Sequence, residues 1–307
     1  MRVLVTGSSG FVGGHLAERL VREGYEVTGI DVKPPREAPE GWRDVRTDLR
    51  DADALARIVA EVRPEVVHHL AAQASVSVSM REPRLDIESN VIATVELARS
   101  AAEAGTRRFV FTSSGGAIFG EAPHIPAADK TPLAPRSIYG ASKAAAEQYL
   151  EIVAAETGLE VAVVRPANIY GPAQDPHGEA GVVAIFAQRM LRGEPVTIFG
   201  TGEDTRDYVY VDDIVEAHLL AAAAANAETC VVGTGLETST RRIFELLAAC
   251  TGYERPPEMG PPRPGDLRRS ALDPGKAQQA WGWEPRVPLE QGLQRTVDWF
   301  RERVREG

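Results

Sequence analysis

Short, nearly continuous apolar runs alternate along the chain with longer stretches in which apolar positions recur every three or four residues. The runs at Val3–Val5, Glu26–Ile30, Val66–Leu70, Phe109–Phe111 and Val161–Val164 fit strands covered on both faces, as a parallel sheet requires. Helical stretches separate them, near 11–23, 51–62, 84–104 and 138–157. Strand and helix in alternation need right-handed crossovers and predict an α/β architecture, a doubly wound parallel sheet of the Rossmann type. After about residue 170, loops rich in Pro and Gly interrupt shorter helices near 180–192, 211–225, 239–250 and 289–305. We therefore expect a sheet domain over 1–170 and, over 171–307, mainly a smaller mixed α/β C-terminal lobe, with some of that chain returning to the sheet. The lobe should close over the carboxyl ends of the strands, where such sheets bind ligands.

Composition narrows the chemistry. A chain of 307 residues with 43% hydrophobic and 25% charged residues can bury a core without disulfide or metal staples. Its formal net charge of -10 argues against a generic nucleic-acid or anionic-membrane surface. Any phosphate must then be held locally, by backbone amides and a few placed arginines. Cys230 and Cys250 form neither a bridge framework nor a metal spacing, which fits a reducing compartment and burial as small hydrophobes. No run approaches 18 apolar residues, and Met1–Thr6 leads straight into a glycine turn with no signal-peptide pattern. The expectation is a soluble cytoplasmic protein with no metal, nucleic-acid or membrane partner.

That glycine turn, Gly7-Ser8-Ser9-Gly10-Phe11-Val12-Gly13, follows the first strand and opens the first helix. Glycines there let the backbone turn tightly and approach a pyrophosphate, whose charge meets amides at the helix N-terminus. Asp31 ends the second strand, at the offset where an acidic side chain accepts the ribose hydroxyls of adenosine. A 2′-phosphate would be repelled by it, so NAD is expected over NADP, with Lys33 and Arg36 the nearby cations that leave NADP open. Asp48-Leu49 follows an apparent third strand and could receive the adenine amine, although Asp48 reads almost as well as a helix N-cap.

Tyr139-Gly140-Ala141-Ser142-Lys143 carries the most chemical information. Positions four apart share a helix face, so the Lys143 ammonium can sit beside the Tyr139 phenol and favour its phenolate, a base near neutral pH. Lys33, Lys130, Lys143 and Lys276 are the only lysines of the chain, arginine filling most other cationic positions. Elsewhere, His68 and His69 read as packed residues at a strand end, and Asp212-Asp213 as the cap and first turn of a helix.

Gly7-x-x-Gly10-x-x-Gly13, Asp31, Asn90, Tyr139-x-x-x-Lys143 and Arg165-Pro166-Ala167-Asn168-Ile169-Tyr170-Gly171-Pro172 together resemble the extended short-chain dehydrogenase/reductases, specifically the NAD-dependent epimerase/dehydratase group. The resemblance spans nearly the whole chain. It implies that NAD is held by Gly7, Gly10, Phe11, Val12, Gly13, Asp31, Asp48, Leu49, Leu70, Ala71, Ala72, Gln73, Asn90, Ser113, Tyr139, Lys143 and Pro166. Ser113-Ser114 matches the loop of the catalytic hydroxyl, with Ser114 preferred and Ser113 the alternative. Members that eliminate water or decarboxylate carry a carboxylate near that hydroxyl, whereas Gly115-Gly116 offers none. Reversible oxidation remains, which implies inversion at C4 of a UDP-hexose through a transient 4-keto sugar, catalysed by Ser114, Tyr139 and Lys143.

The same resemblance, followed through the second half, implies a nucleotide-sugar site built from Ser114, Asn168 on the diphosphate, Val182, Phe199 beside the uracil, Arg206 and Arg263 on the phosphates, and Asp266 on the ribose. Ser270 matches a position where a bulky residue crowds C2 of the sugar, so a small one leaves room for an N-acetyl group. The helices near 84–104 and 138–157 resemble those that pair across a homodimer, which amphipathicity alone does not separate from internal packing. Two other readings stay open. One is an epimerase or reductase acting on a dTDP-, GDP- or uronic-acid sugar; the other is an idle NAD-binding regulator, which would have no use for Ser114, Tyr139 and Lys143 together.

Overall fold

A computed structural model describes residues 1–35, 39–177, 181–263 and 265–306. Its centre is a parallel sheet of seven strands in the spatial order Thr229–Val232, Glu160–Pro166, Arg108–Thr112, Val66–His69, Arg2–Thr6, Glu26–Asp31 and Trp42–Arg46. The order reverses between Arg2–Thr6 and Val66–His69, so the chain leaves the first strand on one side of a crevice and returns on the other.

Alternation along the strands explains the two-sided burial. Val3 and Val5 face a core shared with Leu16, Leu20, Ile214 and Trp283, while Leu4 faces another shared with Leu55, Leu97, Phe109 and Leu150. Helices Phe11–Arg22, Val211–Ala223 and Gly275–Trp281 cover the first face; Ala52–Val62, Ala93–Glu103 and Ile138–Thr157 cover the second. A third core, including Tyr170, Phe186, Ile198, Phe244, Val297 and Phe300, joins helices Val182–Leu191, Thr240–Thr251 and Leu289–Glu306 beyond the sheet. Short strand pairs extend it: Asn168–Tyr170 with Tyr208–Tyr210, and Thr197–Phe199 with Glu258–Gly260, both parallel.

Four local features differ from the periodicity. The stretch near 84–104 is three pieces, Pro83–Ile87, a π-helical turn Glu88–Ile92, and Ala93–Glu103, and the wide turn carries the buried Asn90. Asp51, not Asp48, caps the helix Ala52–Val62, accepting from the Ala54 amide at 2.9 Å. Asp212 and Asp213 lie in the first turn of Val211–Ala223, whose N-cap is Tyr210; Asp213 instead accepts the amides of Arg286 and Val287. The strand Thr229–Val232 is a rim strand drawn from the second half of the chain. The helix expected near 180–192 is Val182–Leu191, residue 180 lying outside the described residues.

His68, His69 and His218 are buried together with their partners. The His69 ring bonds the Thr6 and Thr94 hydroxyls at 2.7 and 2.9 Å, and the His68 and His218 Nδ1 atoms lie 3.4 Å apart. Burial holds His69 and His218 at about 3 and His68 well below its usual value. The unfolded chain therefore binds protons that the native chain refuses. Stability should be complete above the ordinary histidine range near 6.5 and fall as pH drops toward 3, by up to about 1.4 kcal/mol per pH unit for each ring. Urea midpoints measured from pH 7.5 down to 5.0 check this; a flat series would contradict it.

Among the described residues no helix is long and apolar enough to cross a membrane, and no group of His, Cys, Asp and Glu could hold a metal ion.

Candidate active site

The predicted cofactor residues gather at the carboxyl ends of the parallel strands. Gly7 adopts a positive φ of 71°, and its amide donates to the Ile30 carbonyl at 2.8 Å. A Cβ on Gly13 would lie 2.0 Å from the Gly7 carbonyl oxygen, and one on Gly7 would lie 2.8 Å from the Ala71 nitrogen. The turn thus closes onto both its own helix and the loop after the fourth strand. Gly10 caps the helix Phe11–Arg22 without a side-chain bond, and no acidic residue occupies the first turn, so the positive end of the helix dipole meets no carboxylate of its own.

Asp31 accepts from the Ser9 and Lys33 amides, each at 3.0 Å, which fixes the carboxylate beside the turn. With Ser9, Gly10, Phe11, Lys33, Ala173 and Asp175 it lines a cavity of about 290 Å³. A glycine cradle, a helix N-terminus and a placed carboxylate around open volume fit the pyrophosphate and ribose of a dinucleotide. Arg36 lies outside the described residues. Asp48 is held by Arg50, 2.6 Å away, whose hydrogen bond keeps the carboxyl below its ordinary range, so an adenine amine would have to share it. Leu49 faces a separate cavity of about 340 Å³ with Ile92, Ala93 and Glu96.

Leu70–Gln73 follow the fourth strand. The Ala71 amide donates to Thr6 Oγ1 at 3.2 Å, and Asn90 grips Gln73 in both directions, accepting from its amide and donating to its carbonyl, each at 2.9 Å. Asn90 is therefore a buried clamp on that loop. Val12 packs between two cores, and Pro166 ends its strand in register with Val232.

Beyond the strand Arg108–Thr112, Ser114 caps the short helix Gly115–Ile118, and its hydroxyl lies close enough to the Tyr139 phenol to favour the ionised form. The Ser113 hydroxyl is buried and has no partner, so of the two serines Ser114 is the one aimed at Tyr139. Ser137 caps the helix Ile138–Thr157, accepting from the Gly140 amide at 3.0 Å, and thereby sets Tyr139 and Lys143 on the first turns.

The lysine also has partners that the helical spacing does not specify. Its ammonium donates to the Thr112 carbonyl at 2.9 Å and lies 4.7 Å from the centre of the Phe111 ring. Burial pushes Tyr139 up to about 12, the Ser114 hydroxyl opposing it and the Asp86 charge adding to it. Burial lowers Lys143 to about 8, against the carboxylates of Asp86 and Glu147. The phenolate is thus not preformed in the resting chain.

The nucleotide-sugar residues fall into two groups. Asn168 donates its amide to the Asp207 carbonyl at 2.9 Å, and its Oδ1 lies 3.5 Å from where a Gly116 Cβ would stand, against the Ser114 loop. Phe199 is 38% exposed, and the Arg263 guanidinium stacks on its ring at 3.9 Å. Asp266 donates its amide to the Arg263 carbonyl across a turn whose Pro264 lies outside the described residues. Arg206 is turned back to the Thr205 carbonyl at 2.8 Å, while the Thr205 amide donates to the Arg268 carbonyl, which ties this strand to the same segment. Val182 opens the helix Val182–Leu191.

Two residues the motifs do not mark hold these parts together. Asp207, wholly buried, accepts from the Thr234 amide and hydroxyl and from the Gly235 and Leu272 amides. Asp86, equally buried, accepts from Ser142, Gln73 and Asn90. Only its spacing of four from Asn90 on a helical stretch hinted at a shared face.

Residues 3–233 match the family described as NAD dependent epimerase/dehydratase. The chain is 45% identical over 312 aligned residues to the UDP-glucose 4-epimerase of Mycolicibacterium smegmatis, covering 99% of each chain. Among solved structures it is similar to the UDP-glucose 4-epimerase of Thermotoga maritima with UDP-glucose (TM-score 0.95, 46% identity, 99% of this chain and 100% of that one). It is likewise similar to the UDP-glucose 4-epimerase of Thermus thermophilus in complex with NAD (TM-score 0.92, 46% identity, 98% and 99%).

Proposed function

Since the chain belongs to the NAD dependent epimerase/dehydratase family, we propose that it is an NAD-dependent enzyme inverting C4 of a UDP-hexose, interconverting UDP-glucose and UDP-galactose. One juxtaposition carries the reading: the Ser114–Tyr139 pair stands at the same end of the sheet as the glycine cradle and Asp31, with no carboxylate at Gly115-Gly116 to support elimination.

NAD would be held by Gly7–Gly13 and Asp31 and by the loops Leu70–Gln73 and Ser113–Ser114, and when bound would supply reversible oxidation of the C4 carbinol to a ketone. Tyr139 takes the C4 hydroxyl proton and later returns it, while the Ser114 hydroxyl holds the oxygen between those events. Lys143, cationic below about 8, favours loss of the phenolic proton and orients the cofactor ribose. Asn168, Val182, Phe199, Arg206, Arg263 and Asp266 grip the UDP portion, so the sugar is anchored through its diphosphate and free to present its other face. The Phe199 ring and the Arg263 guanidinium supply the flat surfaces for the uracil.

The small, buried Ser270 extends the reading to UDP-GlcNAc and UDP-GalNAc. We also assign the protein to the cytoplasm as a homodimer, on the strength of its two free cysteines and of the exposed apolar residues Ile87, Ile92, Tyr149 and Ile152 on the helices near 84–104 and 138–157. A monomeric mass by sedimentation equilibrium would rule the dimer out.

The test is incubation with each UDP-sugar without added reductant. Formation of the C4 epimer with no net consumption of NAD(H) is expected; steady NAD(P)H consumption would mean a reductase, and retained NAD without turnover a regulator. Turnover of the unacetylated pair alone would reject the role given to Ser270.

A further inference from the structure

Three segments that carry the reading above meet at one buried carboxylate. Asp86 has none of its surface exposed. Its Oδ1 accepts from Ser142 Oγ at 2.5 Å, and its Oδ2 from Gln73 Nε2 at 2.9 Å and Asn90 Nδ2 at 3.1 Å. Ser142 lies one residue before Lys143 and three after Tyr139, so this bond fixes the rotation of the helix that carries both. Gln73 ends the loop predicted to receive the cofactor, and its Oε1 also takes the Ser75 amide at 2.7 Å. Asn90 adds two hydrogen bonds to the Gln73 backbone, accepting from its amide and donating to its carbonyl. Ser79, in the helix Val76–Arg81 that Ser75 caps, accepts the Tyr139 amide at 3.1 Å, which closes the circuit.

A fully buried carboxylate is costly unless its charge is met. The partners of Asp86 in these bonds are neutral donors. The Asp86 carboxylate favours the charged form of the buried Lys143, whose ammonium also donates to the Thr112 carbonyl and lies over the Phe111 ring. The other charged group near Lys143 is Glu147, which is taken up by Arg165 through bonds of 2.5 to 3.1 Å; the facing His69 is held neutral by burial.

We propose that Asp86 is a positioning residue of this active centre, locking the Tyr139–Lys143 helix to the cofactor loop and supplying the buried counter-charge that keeps Lys143 protonated during turnover. The proposal rests on the epimerase reading for its rates, but not for its charge. Asp86 opposes ionisation of Tyr139 while favouring the charged form of Lys143. Its removal should therefore lower both titrations, moving the acid and alkaline limbs of the rate profile together toward lower pH. Loss of packing alone would lower the plateau and leave the limbs where they are.

Asp86→Asn is near-isosteric and removes the charge. In the NAD-loaded protein it should shift the pH–kcat profile acidward by about one unit, which raises kcat relative to the plateau up to about tenfold on the acid limb, with KM changed less than threefold. The Lys143 titration, followed by 13Cε-lysine NMR and assigned with Lys143→Arg among the few lysines of the chain, should fall by the same amount. That signal needs no turnover: inactive wild type would sink the epimerase reading, whereas an unmoved Lys143 titration would sink this one. Ser142→Ala cuts the shortest bond and keeps the charge, so it should lower kcat about tenfold without shifting either limb. Should Asp86→Asn not fold, unchanged kcat and unchanged NAD retention in Ser142→Ala would overturn the positioning role.

Discussion

Replacing Tyr139 with phenylalanine should lower kcat for UDP-galactose about a hundred- to ten-thousand-fold while NAD remains bound. The ring fills the same space, so the helix Ile138–Thr157 and its Ser137 cap are undisturbed. Only the phenolic oxygen beside Ser114 is lost. With burial holding the phenol up at about 12, it is protonated near neutral pH before substrate arrives. Proton loss must then be driven as the C4 hydroxyl docks, and wild-type turnover should rise with pH until Lys143 gives up its proton near 8. A coupled assay for the epimer, together with NAD released on denaturation, reads both parts. Turnover within tenfold of wild type would remove Tyr139 from the role of base.

Gly13→Ala should be nearly as damaging, through the cofactor. The added Cβ would stand 2.0 Å from the Gly7 carbonyl oxygen, a backbone atom that cannot rotate aside. Either the turn lifts from the helix Phe11–Arg22 or the helix withdraws, and both widen the cradle meant for the pyrophosphate. The overpacking should cost about 1–3 kcal/mol of stability, and bound NAD should fall below a tenth of the wild-type content. Purified protein with full NAD content and an unchanged melting temperature would show that the close approach is not needed.

Features that depend on neighbours in sequence were legible. Strands buried on both faces, the glycine turn and the four-residue spacing of Tyr139 and Lys143 are each written within a few consecutive positions. Features that depend on distant segments were not. The spacing puts Lys143 on the helix face of Tyr139 but does not say which atom its ammonium bonds; that is the Thr112 carbonyl, an atom every residue has and no motif records. Asp48 and Asp51 are equally plausible caps by type; what separates them is Arg50, which occupies the first. The π turn at Glu88–Ile92 gains a residue per turn without disturbing the apolar pattern, so the stretch reads as one helix. Asp86 and Asp207 carry little local signature because most of their partners are distant in sequence, Gln73 and Ser142 for the first, Thr234, Gly235 and Leu272 for the second.

The rim strand Thr229–Val232 pairs with Glu160–Pro166, while the residues between them include Val182, Phe199 and Arg206, which we propose for the nucleotide-sugar site. The polypeptide visits the proposed sugar-nucleotide side, comes back to finish the sheet, then leaves again for Arg263 and Asp266. Exchanging substrate preference between relatives by a single crossover after residue 170 would therefore graft a foreign edge onto the host sheet, facing Val163 and Val164 with side chains selected against other neighbours. A workable hybrid needs several splice points, with 211–232 kept from the same parent as the first half.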